Sequence, residues 1–206
     1  MIARAGETMK KLGLAVPTML GLALALSGCV SFGTEPPPSL LTLTANNALP
    51  AGAESSTTRE TAFAVYEPGV PQSINVPRVP VQVDPTTIAY LKDAVWVEKP
   101  ARLFKQLLME TVSAQSGRLV VEGEDPTILA DDRLRGTINK FGYDAQSMSV
   151  VVQYDAVRQM KDGPIQTRRF ESVIPVAAAE AGFVGDALNR AANDVAGEVA
   201  DWISAT

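Results

Sequence analysis

A run of apolar residues at positions 12–26, interrupted only by Thr18, ends three residues before Cys29, and this feature decides how much of the 206-residue chain is available to fold. Lys10 and Lys11 precede the run, and the sequence turns abruptly polar and proline-rich at GTEPPPS, residues 33–39. A basic start, a short apolar run and small residues before a boundary form a secretory signal. The run falls short of the roughly 20 apolar residues that span a bilayer, so a permanent membrane helix is the weaker reading. Cys29 is the only cysteine and the chain has no histidine. It therefore cannot close a disulfide within the chain, and no imidazole is present to join it in a metal site or activate it as a nucleophile.

Leu26-Ser27-Gly28-Cys29 resembles the bacterial lipobox, in which the cysteine becomes the lipidated first residue of the mature protein. The expected organisation is a signal peptide at 1–28, a lipidated Cys29 with a proline-rich tether at 29–38, and one domain at 39–206. Met9 is an alternative start, because residues 1–8 add nothing that a signal needs. Cleavage before Cys29 leaves 178 of the 206 residues, enough for one domain with a real core. Of the 18 basic and 23 acidic residues, Arg4, Lys10, Lys11 and Glu7 precede Cys29, which leaves a net charge of −7 from there on. That balance argues against nucleic acid and against an anionic bilayer surface as partners. Membrane attachment is expected from the N-terminal lipid, since several acyl chains at about 0.8 kcal/mol per buried CH₂ anchor firmly. The eleven steps from Cys29 to Leu40 extend at most ~35–40 Å, so the domain stays near its membrane.

Hydrophobic periodicity outlines the domain. LLTLT at 40–44 reads as a short strand, followed by a polar loop. TAFAVYEP at 61–68 returns to strand character, with either Phe63 and Val65 or Ala62, Ala64 and Tyr66 facing inward. Prolines 71, 77 and 80 exclude helix and limit residues 69–84 to edge-strand or loop geometry, and TTIAYL at 86–91 is a strand. Pro100 opens a helix in which Leu103, Phe104, Leu107, Leu108, Thr111 and Val112 recur at helical spacing until Gly117; Arg102, Lys105, Gln106 and Glu110 fall on the opposite side. Strands follow at RLVV, DRLRGTINKFGYD and MSVVVQYDAVRQM, the last with Met148, Val150, Val152, Tyr154 and Ala156 on one face. Another is expected at QTRRFESVIPV, with Phe170, Ile174 and Val176 together. A closing helix at about 182–203 buries Phe183, Ala187, Ala191, Val195, Val199 and Trp202, with Asn189 and Asn193 on its wet side. The reading is an α+β domain, a mostly antiparallel sheet covered by two amphipathic helices in the order β-β-β-α-β-β-β-α.

Chemistry is sparse. There is no Ser-His-Asp or Cys-His arrangement, no HExxH, no GxGxxG and no Walker loop. Glu122, Glu124 and Asp125, followed by Asp131 and Asp132, lack the alternating oxygen ligands of a calcium loop and read as a solvated turn. Trp96 and Trp202 each adjoin a helical apolar stripe and read as core anchors rather than ligand-stacking surfaces. No catalytic residue, cofactor or metal is expected. An enzyme working through carboxylates alone would need two of them facing each other across a deep cleft.

Four stretches then carry a resemblance: IAYLKDAVWVEKPARLFKQLLMETVSAQSGR, DDRLRGTINKFGYD, RRFESVIPVAAAEAG and DALNRAANDVAGEVADWI. Their order resembles that of the ABC-type transport auxiliary lipoprotein family over about residues 40–203. Tyr90, Leu91, Ala94, Trp96 and Pro100 match the approach to its first helix. Leu134, Phe141, Arg169, Phe170, Pro175 and Val176 match its strands, and Ala187, Leu188, Ala191 and Trp202 its last helix. The chain departs from the pattern at VWVEKPARL and in the long loop at 46–58. The resemblance implies a non-enzymatic, lipid-anchored component beside an ABC permease and ATPase and an MCE-domain substrate-binding protein. Such systems move phospholipids or other hydrophobic molecules between the inner and outer membranes of Gram-negative bacteria. Only Cys29 carries over as a functional residue, and a homo-oligomer stays open. Val30 and Ser31 follow Cys29 where the inner-membrane retention signal of enteric bacteria has an aspartate, which points to a periplasm-facing place at the outer membrane. The alternative is a structural or assembly lipoprotein of an outer-membrane complex unrelated to lipid transport.

Overall fold

The computed structural model describes residues 39–54, 56–125 and 129–205; the signal peptide, Cys29 and the tether expected at 29–38 lie outside the described residues. Seven strands and two helices follow in the order β1 Phe63–Val65, β2 Arg78–Asp84, β3 Thr87–Val95, α1 Pro100–Ser116, β4 Val120–Glu122, β5 Asp132–Asp144, β6 Ser149–Met160, β7 Ile165–Pro175 and α2 Ala181–Ser204. The order is the expected one with one strand more between the helices, where the three-residue β4 stands ahead of three long strands.

Those long strands, β5, β6 and β7, form an antiparallel meander. Its first turn is held by the Asp144 carboxylate, which accepts the N–H groups of Gln146 and Ser147. Along β6, Val150, Val152, Tyr154 and Ala156 are buried, as period-two alternation predicts. Met148 breaks the expectation. It lies in the turn with φ 48° and is 63% exposed, because a left-handed residue ahead of the strand is not bound to the strand's alternation.

The free edge of β5 is shared. Near its start, β1 pairs with it in parallel and pairs in parallel with β4 on the other side. Near its end, β2 pairs with it in parallel through Val81–Tyr143 and Gln82–Asp144, and β3 lies antiparallel on β2. The sheet is therefore mixed; the expected antiparallel character holds for the long pairings, and the parallel ones are short. Residue 142 has to be glycine for β2 to approach, since a Cβ there would fall on the carbonyl oxygen of Pro80. The two candidate faces of β1 are both buried. Phe63 and Val65 enter the main core, while Ala62 and Ala64 form a second cluster with Val121 and Ala130.

Pro100 supplies the first residue of α1, and Gly117 ends the helix with φ 65°, donating its N–H to the Ser113 carbonyl. The six expected apolar positions of α1 are buried. Phe104 meets Phe141 and Tyr154 edge to face, with ring centroids 6.3 and 5.3 Å apart, and Trp96 meets Phe141 at 5.6 Å. Each aromatic removed from water at this junction contributes about 1.5–3 kcal/mol. In α2 the stripe starts at Val184 instead of Phe183, which is 52% exposed. Trp202 is half-buried, its ring 5.7 Å from that of Phe170.

Candidate functional site

The segment at 40–44 is not a strand. Leu41 alone makes a bridge, donating its N–H to the Val95 carbonyl and accepting from the N–H of Val97. Beyond Leu41 the backbone is held by side chains of α2. Asn189 Oδ1 accepts the N–H of Thr44 at 2.9 Å, and Asn193 Oδ1 accepts that of Asn46 at 2.7 Å. Asn193 Nδ2 returns hydrogen bonds to the carbonyls of Thr44 and Asn189. Asn193 is thus buried and clamps the incoming chain, where the sequence placed it on the wet side of the helix. Leu41 itself sits over Gly185, where a Cβ would run into its side chain. From Leu41, over Gly185, to Asn46, held by Asn193, the chain runs along α2 in the direction of that helix, which puts Leu40 toward the helix's N-terminal end.

The charged groups form structural clusters. At the start of β5, Asp132 accepts Arg158 Nε at 3.1 Å and Nη2 at 2.8 Å, and also Arg118 Nη1 at 2.9 Å. Arg158 Nη1 reaches the Ile203 carbonyl at the end of α2, and Arg118 reaches the carbonyls of Thr61 and Ala62. Burial raises the Asp132 pKa, but the two guanidinium groups outweigh it and hold the carboxyl below its ordinary value.

The turn expected at 122–125 is solvent-exposed at Glu122 and Glu124, and the two carboxylates also form an ion cluster. Lys105, expected on the wet face of α1, is buried, with Nζ 3.4 Å from Glu122 and 3.6 Å from Glu124. Glu124 Oε1 also accepts the N–H of Glu67. Burial raises the Glu124 pKa, yet that hydrogen bond and Lys105 hold it below the ordinary value. Asp155 on β6 is lowered by its hydrogen bonds from Arg169 and is bridged to Asn139. Among the described residues no group of three or more acidic or thiol side chains could hold a metal. A cleft of about 120 Å³ opens between β2, β3 and the end of β5, lined by Ile74, Pro80, Ile88 and Phe141. That is below the ~300–1,000 Å³ of ordinary ligand pockets, while wider, open depressions of about 570 Å³ lie along α2, one beside Glu171, Asp194, Glu198 and Asp201 and one beside Pro175, Phe183 and Arg190.

The one functional residue named from sequence, Cys29, lies outside the described residues. Most of the fifteen positions that carried the family resemblance are buried between helices and sheet, while Arg169 and Pro175 are exposed. Ala94, Trp96, Leu134, Phe141, Phe170, Ala187, Leu188 and Ala191 are fully buried, and Arg169 pairs with Asp155. They record a fold and not a reacting site. The Asn189–Asn193 clamp was missed, although two amides four residues apart beside an apolar stripe were the available signal.

A mixed seven-stranded sheet carrying two packed helices, with residues 41–46 clamped along the second, defines an α+β domain. Residues 42–200 match the model of the ABC-type transport auxiliary lipoprotein component, and the chain belongs to that family. Comparison with curated proteins gives no match. Among solved structures, protein XCC0632 from Xanthomonas campestris, of family DUF330, is similar with a TM-score of 0.65 at 18% identity, over 81% of this chain and 95% of that one. A crystal structure of an uncharacterized protein gives 0.61 at 17% identity, over 72% and 95%. These likenesses show a shared fold. The PelC dodecamer from Paraburkholderia phytofirmans gives only 0.41 at 11% identity, over 70% and 88%, and carries no argument.

Proposed function

We propose that the protein is a non-enzymatic docking component, anchored by lipid on Cys29 at the outer membrane and facing the periplasm. Its partners are an MCE-domain substrate-binding protein and the associated ABC permease and ATPase, and the system moves phospholipids or other hydrophobic molecules between the two membranes. Family membership supplies the transport role. The observation that carries the anchored docking role is the clamp of residues 41–46 to α2, which begins twelve steps from Cys29, one beyond Leu40. A tether of ~35–40 Å keeps the domain on its own membrane, so the transport machinery comes to it. Engagement of Asp132, Glu122, Glu124 and Asp155 in ion pairs supports a role in binding and not in acid–base chemistry.

Complementation of a deletion strain by a soluble form lacking Cys29 tests this reading, scored as envelope permeability to detergent. The soluble form retains partner binding, because the contact lies on the folded domain, and does not restore the barrier. Full rescue overturns the anchoring role.

A further inference from the structure

We infer that the end of the domain at which the tether leaves is a lipid-contacting face, with Phe183 and Met148 entering the headgroup region of the membrane that holds the anchor. The inference rests on the lipid anchor at Cys29 and goes beyond it, since an anchor alone leaves the domain free to turn.

Two observations converge on this end. Leu40 and Leu41, at the start of the described chain, lie toward the N-terminal end of α2, a position set by Leu41 over Gly185 and by the Asn189 and Asn193 clamp. Around that point stand side chains that a water-facing surface does not require. Phe183 is 52% exposed in the first turn of α2, Leu40 is 53% exposed at the start of the clamped segment, and Val97, bonded to Leu41, is 52% exposed. Met148 joins them, because its carbonyl accepts the N–H of Val176, and Val176 and Phe183 line the same shallow depression, whose other side is polar with Asp186, Asn189 and Arg190. Met148 also holds a left-handed backbone that turns its side chain outward. Exposed apolar residues scattered singly need no explanation, but a group gathered where a lipid tether ends does. Aromatic and thioether side chains at the headgroup level gain burial without crossing the bilayer. The opposite end, where Asp132, Arg158 and the Ile203 carbonyl meet, then points away from the membrane toward a partner.

The experiment uses the lipidated chain in phosphatidylcholine vesicles. Because Cys29 is the only native cysteine, acylation leaves an introduced cysteine as the sole free thiol. Phe183→Cys, Met148→Cys and, at the far end of β7, Ile165→Cys each replace an exposed side chain and receive an environment-sensitive fluorophore. Labels at 183 and 148 shift to the blue and are quenched several-fold more strongly by nitroxide-bearing lipid than the label at 165. Equal quenching at all three positions overturns the inference while carbonate-resistant membrane attachment of the same sample upholds the anchor. Labels shielded from aqueous iodide but untouched by nitroxide lipid place another protein surface there, including a second copy, and also overturn it. Loss of attachment altogether overturns both readings.

Discussion

Asp132 and Arg158 form a bidentate ion pair in which both side chains are buried, joining the first residue of β5 to the third-last residue of β6 and, through Ile203, to the end of α2. Arg158→Met leaves Asp132 desolvated with Arg118 as its remaining cation. The expected loss is about 3–5 kcal/mol, as for other buried pairs broken from one side. Urea unfolding of the domain measures it.

The same pair sets the acid limit. Asp132 has a folded-state pKa below its unfolded value, so its contribution is fully present above the ordinary aspartate range near ~3.9 and is lost as pH falls through the depressed value. Stability is therefore flat on this account above about pH 5 and declines below about pH 4. Asp132→Asn lowers stability at neutral pH and reduces the slope of the acid limb, as seen in a series of melting curves.

Clamping by Asn193 predicts a local effect. Asn193→Leu leaves the N–H of Asn46 and the carbonyl of Thr44 without their side-chain partner, costing about 1–3 kcal/mol. Hydrogen exchange should quicken at Asn46 well before it changes at β6 amides. Uniform acceleration across the domain would mean that the segment is not a separately held unit.

The two tryptophans separate by burial. Trp96 is 2% exposed and meets Phe141, so Trp96→Ala costs about 3–5 kcal/mol. Trp202 is half-buried against Phe170, and Trp202→Ala costs less than that, about 2 kcal/mol. Thermal midpoints of the two variants give the order.

How much of this was legible follows from the range of each signal. Both helices and the three long strands carry their own periodicity, so their positions could be read locally, as could the stop at Gly117. Lys105 could not, because its partners Glu122 and Glu124 lie beyond the end of its helix and only the fold brings them together. A charged residue within an apolar helix looks solvated until such partners arrive. Residues 40–44 looked like a strand because a chain held by Asn189 and Asn193 is as extended and alternating as one held by a neighbouring strand. Met148 and Phe183 fit the apolar periods of β6 and α2, yet each lies at the margin of its element, where the period no longer dictates direction. The expectation at Cys29, in contrast, rests on contiguous residues alone.

Affinity purification of the full-length protein from detergent-solubilised membranes, with identification of what comes with it, bears on the transport role itself. An MCE-domain protein together with an ABC permease and its ATPase is the expected set, retained by wild type and by Trp202→Ala alike if the domain remains folded. Recovery of a barrel-assembly or other envelope complex, with no transporter subunit present, would contradict the account.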